Sequence, residues 1–210
     1  MTKIKLCGLT RITDIQTANQ LKPDYIGFVF APKSKRYIKP ECAAELKTIL
    51  DPDIAAVGVF VNEKPEVIAA LLNQNIIDLA QLHGTEDELY IQQLRLLTTK
   101  PLIKAFKIKN KADLETAQNS SADHILLDAG AGDGQTFDWD ILKSFTRPYF
   151  LAGGLNPSNV DEAIKKLRPY AVDVSSGIET AGFKDAAKMK SFVDAVNITN
   201  AAPNRKPLNA

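Results

Sequence analysis

Tyr149-Phe-Leu-Ala-Gly-Gly-Leu-Asn-Pro-Ser-Asn-Val-Asp-Glu-Ala-Ile-Lys-Lys-Leu-Arg-Pro-Tyr-Ala-Val-Asp-Val-Ser-Ser-Gly177 is the stretch whose reading decides the fold. Its apolar run predicts a strand over Tyr149–Ala152. Asn156-Pro157 then opens an amphipathic helix to Leu167, and Ala171–Ser175 reads as a second strand. Strands joined by a helix run parallel, because only a long crossover returns the chain to the same end. The same unit repeats upstream. Strands are predicted at Lys3–Cys7, Asp24–Phe30, Ile54–Phe60, Ile77–Leu82, Pro101–Phe106 and His124–Asp128, each gap wide enough for one helix. Further helices are expected at Pro40–Leu50, with Ala43, Leu46, Ile49 and Leu50 at helical spacing, and at Glu86–Leu97 and Lys184–Val196.

Repeated βα units leave an open doubly wound sheet or a closed barrel. Even spacing, with no break marking a reversal of strand order, favours a single-domain α/β protein, a (βα)8 TIM barrel over residues 1–196. Residues 197–210 lose the periodicity and gather Pro, Asn and Ala. They are expected to form a polar, poorly ordered C-terminal tail.

Composition narrows the function classes. The chain has 210 residues, and 26 Lys+Arg against 25 Asp+Glu leave a formal charge of +1. That balance gives no basic surface for nucleic acid. No apolar run is long enough for a membrane span, and the first residues lack a signal-peptide core. Cys7 and Cys42 make neither a disulfide framework nor a zinc site, so a reducing cytoplasm is expected. The two histidines and two cysteines are too far apart to suggest a metal site. Gly130–Gly134 lacks the lysine and hydroxyl residue of a nucleotide P-loop.

In a barrel the C-terminal strand ends converge on the face that carries chemistry. Cys7-Gly8, Pro32–Tyr37, His83-Gly84, Asp128, Gly153-Gly154 and Ser176-Gly177 all stand at such ends. Gly153, Gly154, Ser176 and Gly177 suit a phosphate, whose oxygens need close backbone N–H groups; the plain alternative is a pair of tight turns. Cys7 is either a buried small hydrophobe or a reactive thiol. Cys42 is expected to be structural within an apolar helical stripe, and His124 structural at the opposite barrel end. His83 is a loop histidine or a substrate contact. Asp128 caps the next loop, or keeps a raised pKa and acts as an acid. Arg36 is a solvated charge or a planar fork for a carboxylate. Lys104 offers a Schiff base or a polar contact, and Asp173 an inward ligand contact.

Lys5-Leu-Cys-Gly-Leu-Thr10, Gly27-Phe-Val-Phe30, Pro32-Lys-Ser-Lys-Arg-Tyr37, Val57-Gly-Val-Phe-Val-Asn62, Gln81-Leu-His-Gly84, Thr136-Phe-Asp-Trp139, Gly153-Gly-Leu-Asn-Pro157 and Val172-Asp-Val-Ser-Ser-Gly-Ile-Glu179 together resemble the phosphoribosylanthranilate isomerase family, in register from about residue 3 to 196. The resemblance implies the (βα)8 barrel and an Amadori rearrangement of N-(5-phosphoribosyl)anthranilate in tryptophan biosynthesis. It implies Cys7 as general base and Asp128 as general acid. Arg36 would hold the aryl carboxylate and the glycine loops the phosphate. It implies no cofactor, a small phosphorylated substrate, and a monomer or homodimer. Chemistry near pH 7 would then want a lowered pKa at Cys7 and a raised one at Asp128. One departure is Ala131-Gly-Asp-Gly134, where the family commonly has Gly-Gly-Thr/Ser-Gly. The rivals are a sugar-phosphate epimerase, a related histidine-pathway isomerase, which would want aspartate in place of Cys7, a phospho-ligand binding module and a lyase using Lys104.

Overall fold

The computed structural model describes residues 1–130 and 139–202. Eight strands alternate with helices: β1 (Lys3–Cys7), α1 (Ile12–Leu21), β2 (Tyr25–Val29), α2 (Pro40–Thr48), β3 (Ala55–Phe60), α3 (Pro65–Asn73), β4 (Leu79–Leu82), α4 (Glu88–Arg95), β5 (Leu102–Lys107), α5 (Lys111–Gln118), β6 (His124–Asp128), β7 (Tyr149–Ala152), α6 (Val160–Leu167) and β8 (Ala171–Val174). All eight are parallel and close in chain order, with β1 pairing both β2 and β8 and placing Lys5 beside Asp173. Closure excludes the open sheet.

The structure departs from the sequence reading in four places. Between β6 and β7 the crossover contains, among the described residues, only a 3₁₀ segment at Trp139–Ser144. The departing loop Ala131–Gly134 lies outside the described residues. After β8 the chain makes a small antiparallel hairpin, β9 (Glu179–Thr180) with β10 (Phe183–Lys184). The last helix, α7 (Ala186–Ala201), therefore starts after Lys184, where the Asp185 carboxylate accepts the N–H groups of Ala187 and Lys188. It also passes the expected boundary at 196. The Asn200 side chain accepts the Thr2 N–H at 2.9 Å and donates to the Thr2 carbonyl at 2.9 Å, so residues 197–201 are tied helix rather than tail. Residues 203–210 lie outside the described residues. Finally, Cys42 is exposed, beside rather than within the buried stripe of Ala43 and Leu46.

Side chains alternate across each strand. Leu6, Ile26, Phe28, Ala56 and Phe60 pack outward under the helices, while Tyr25, Val57, Leu79, Ile103, Leu126 and Phe150 fill the barrel. A third small cluster, Cys7, Val29 and Val59, closes the interior toward the C-terminal end. The α6 start moves from Asn156 to Val160 because Asn156 and Asn159 spend their side chains on a turn. Asn156 accepts the Ser158 N–H, and Asn159 accepts that of Asn156.

Lys104 follows the outward alternation on β5 and is buried there, its amine 2.8 Å from Glu86 and 2.9 Å from the Gly84 carbonyl. Glu86 also accepts the N–H groups of Asn62 at 2.6 Å and Gly84 at 2.8 Å. This cluster pins the loops after β3 and β4, and it commits the amine that a Schiff-base lyase would need free. Burial disfavours the Glu86 charge, but Lys104 and the Asn62 N–H outweigh it and hold its pKa below the usual range. Lys104→Met would leave Glu86 buried without its cation. The expected loss is about 3–5 kcal/mol in urea unfolding. Because the folded pKa is depressed, the wild-type contribution is full above the ordinary glutamate range and fades as pH falls through the folded value. The difference between wild type and Lys104→Met should therefore shrink in acid.

Candidate active site

Cys7 ends β1 and is buried as a free thiol. Gly27, its partner on β2, leaves room for it: a Cβ there would lie 2.7 Å from the Cys7 sulfur. Gly8 turns the chain with φ +82, and a Cβ on it would meet the Arg36 side chain at 2.5 Å. Cys7-Gly8 is thus a thiol followed by the one residue type that lets Arg36 pass.

Beneath the thiol, Lys5 is fully buried, its amine 3.0 and 3.1 Å from the two oxygens of Asp173. Burial opposes the Lys5 charge, yet Asp173 and Cys7 outweigh it and raise its pKa above the lysine range. A second buried ammonium, Lys184, donates to the Ser175 carbonyl at 2.9 Å and to Glu179 at 2.5 Å. Burial pushes the Cys7 pKa up; Lys5 and Lys184 pull it back, Asp173 adds to the rise, and the net direction is upward. The expected lowering of the thiol is therefore corrected: burial wins over the two cations.

Arg36 stands in the loop after β2. Its Nε and Nη2 bind Glu179 at 2.6 and 2.8 Å. It is not a solvated loop charge, and its fork is already half used. Glu179 stood in a recognised motif, but its pairing with Arg36 carried no sequence signal.

His83 follows the last residue of β4, Asp128 ends β6, and the two face each other, His83 Nε2 lying 3.5 Å from Asp128 Oδ2. Asp128 Oδ1 accepts the Gly130 N–H at 3.0 Å, so the capping reading holds for one oxygen. Burial raises the Asp128 pKa, but His83, the Gly130 N–H and Lys107 outweigh it and lower it overall. The expected raised value is corrected for the same reason: the apolar strand does not act alone.

Cys7, Arg36, Gln81, His83, Asp128, Gly153, Gly154, Asp173 and Ser176 line one cavity of ≈ 440 Å³. Gly177 is packed behind it, where a Cβ would meet the Leu155 carbonyl at 2.0 Å. Gly153 has φ +102 and lies against Gly130, while a Cβ on Gly154 would meet nothing. A wider depression of ≈ 1210 Å³ around Thr2, Tyr149 and Tyr170 holds none of the candidate residues. His124 stacks on Tyr170 beside that depression, away from the site as expected. Among the described residues no group of three or more His, Cys, Asp or Glu gathers as a metal site, and no helix is long and apolar enough to cross a membrane.

Residues 4–195 match the family model for N-(5'phosphoribosyl)anthranilate (PRA) isomerase. The chain is 48% identical over 203 residues to N-(5'-phosphoribosyl)anthranilate isomerase of Thermoanaerobacter sp. (strain X514), covering 93% of this chain and 98% of that one. It superposes on phosphoribosyl anthranilate isomerase of Thermotoga maritima with a TM-score of 0.87 and 40% identity, over 94% of this chain and 99% of the other. A related structure, TM-score 0.84 and 40% identical over 94% and 99% of the two chains, holds reduced 1-(o-carboxyphenylamino)-1-deoxyribulose 5-phosphate. The Thermotoga maritima protein is described as dimeric.

With its pKa raised, Cys7 carries little thiolate at pH 7, and thiolate is what iodoacetamide attacks. Peptide-resolved mass spectrometry should find exposed Cys42 alkylated before Cys7 at pH 7. The Cys7 rate should climb as pH rises past the ordinary thiol range.

Proposed function

The chain belongs to the N-(5'-phosphoribosyl)anthranilate isomerase family and is an isomerase of tryptophan biosynthesis; we propose that it converts N-(5-phosphoribosyl)anthranilate to 1-(2-carboxyphenylamino)-1-deoxyribulose 5-phosphate with Cys7 as general base and Asp128 as general acid. One observation carries the assignment of roles. Cys7 on β1 and Asp128 on β6 line the same cavity, and the glycine-bearing loops of β7 and β8 stand between them in barrel order. A phosphate held by the backbone N–H groups around Gly153, Gly154 and Ser176 would place the sugar between acid and base. Gly177 supports that loop from behind, and Asp173 faces the sugar from beside Cys7. The N–H groups of Arg36 not used by Glu179 take the aryl carboxylate.

The Asp128 proton goes to the furanose oxygen as the bond from C1 to that oxygen breaks and the nitrogen lone pair forms an iminium. The iminium acidifies C2–H, and the Cys7 thiolate takes that proton to give the enolamine. The enol hydrogen is then released, and C1 gains a proton as the ketone forms. No cofactor is needed in these steps. The raised Cys7 and lowered Asp128 favour thiol and carboxylate, the protonation pattern left after both groups have acted. Substrate phosphate and carboxylate raise the proton affinity of Asp128, so binding favours return of the proton to it from the thiol; the iminium, once formed, then stabilises the thiolate. The dyad titrates as a pair and gives a bell-shaped rate profile.

The substrate is a small phosphorylated molecule, the assembly is a monomer or homodimer, and a free catalytic thiol fits the reducing cytoplasm. The direct test is loss of the fluorescence of the anthranilate adduct on adding purified protein, with chelator present. Cys7→Ser and Asp128→Asn should each lower kcat by about 10²–10⁴-fold with little change in KM. Retention of most of kcat in Cys7→Ser moves the base elsewhere. Arg36→Met should raise KM strongly and inorganic phosphate should compete with substrate; indifference to both would return Arg36 and the glycine loops to structural roles.

A further inference from the structure

Gln81 belongs to the Gln-Leu-His-Gly run, but the acid–base scheme gives it no part. It is 1% exposed on β4 and lines the cavity. Its amide nitrogen lies 2.8 Å from His83 Nδ1, and its amide oxygen, also buried, has no hydrogen-bond partner. Both ends of this side chain can be read physically. An amide N–H can only donate, so Nδ1 accepts, and a singly protonated ring then carries its hydrogen on Nε2. Nε2 is the nitrogen that faces the Asp128 carboxylate, which needs a donor. The reversed amide would aim an Nδ1 hydrogen at Gln81 and turn the Nε2 lone pair toward that carboxylate. It would also place the amide NH₂ at the unpartnered position, leaving two hydrogens without an acceptor there, while two acceptors would face each other at Asp128.

We propose that Gln81 is a positioning and substrate-binding residue: its N–H holds the His83 hydrogen on Nε2 against Asp128, and its orphaned oxygen accepts a hydroxyl hydrogen from the substrate ribose. A buried acceptor without a partner is expensive unless something fills it. The substrate phosphate and carboxylate offer only acceptors at neutral pH. The anilino N–H is engaged by the carboxylate ortho to it on the same ring. The ribose hydroxyls are the donors that remain. The Gln81 oxygen would fix the sugar at its hydroxyl edge, while His83 holds the Asp128 carboxylate aligned until substrate raises its proton affinity.

The inference rests on the isomerase reading for its substrate but not for its histidine. Long-range ¹H–¹⁵N spectra of the full chain, with His83 assigned by its absence in His83→Asn, read the ring hydrogen directly. The expected result is hydrogen on Nε2 in wild type, loss of that preference in Gln81→Met, and protonation of Nδ1 in Gln81→Glu. In kinetics, Gln81→Met should lower kcat and raise KM, each about tenfold, the loss of one hydrogen bond apiece. Gln81→Glu keeps an acceptor oxygen, so its KM should rise less than that of Gln81→Met while kcat still falls. Thermal melts separate these effects from misfolding. Hydrogen on Nδ1 in the wild type, or a folded Gln81→Met with unchanged kcat and KM, overturns the inference. A wild-type chain inactive on N-(5-phosphoribosyl)anthranilate would overturn the isomerase reading and the hydroxyl half with it, while the spectra would still decide the histidine half.

Discussion

The buried ammonium of Lys5, held against both oxygens of Asp173, sits at the seam where the last strand of the barrel meets the first. An unpaired charge there would be strongly destabilising, so β1 and β8 must meet in the register that puts these two residues side by side. The same pair sets the field under the thiol, one residue type favouring the thiolate and the other opposing it. Above it the seam continues through polar contacts. The Ser175 hydroxyl donates to the Cys7 carbonyl at 3.1 Å, and Lys184 donates to the Ser175 carbonyl. Closure of the fold and placement of the Cys7 thiol are one problem with one solution.

Around that seam the site is made by leaving side chains out. Gly27 clears the sulfur, Gly8 clears Arg36, Gly153 lies against Gly130, and Gly177 lies against the loop at Leu155. Each contact is close enough that a methyl group would force the neighbour to move. Close packing of this kind transmits small displacements, so the loops of β6, β7 and β8 share one geometry rather than three independent ones. Positions read from the sequence as possible anion donors therefore divide. Gly154 and Ser176 border open space, whereas Gly177 keeps the loops together.

Electrostatics explain the protonation pattern of the site. Cys7 has two cations nearby, but burial, joined by the charge of Asp173, wins over them. Asp128 is only half-buried, and it has a histidine, a backbone N–H and Lys107 to stabilise its charge. The two groups have opposite outcomes because Asp128 is less deeply buried and has more partners for its charge.

Spacing and composition alone determined the eight parallel strands and the helical crossovers between most of them. Three strands, Lys3–Cys7, His124–Asp128 and Tyr149–Ala152, have the limits read from their apolar runs. The candidate Cys7, Arg36, His83, Asp128 and Asp173 were legible because strand ends of a barrel converge. The family motifs then named their chemistry. Other features were beyond reach, because strand and helix periodicities describe a residue's own element and nothing across the barrel. The Arg36–Glu179 fork joins residues 143 apart. The space Gly27 leaves for the Cys7 sulfur exists only once β1 and β2 are in register. The hairpin at Glu179–Lys184 and the helix running to Ala201 depend on contacts with Arg36 and Thr2. The protonation directions of Cys7 and Asp128 were beyond reach for the same reason: a pKa sums burial against every charge and donor nearby, and only closure of the barrel assembles those neighbours.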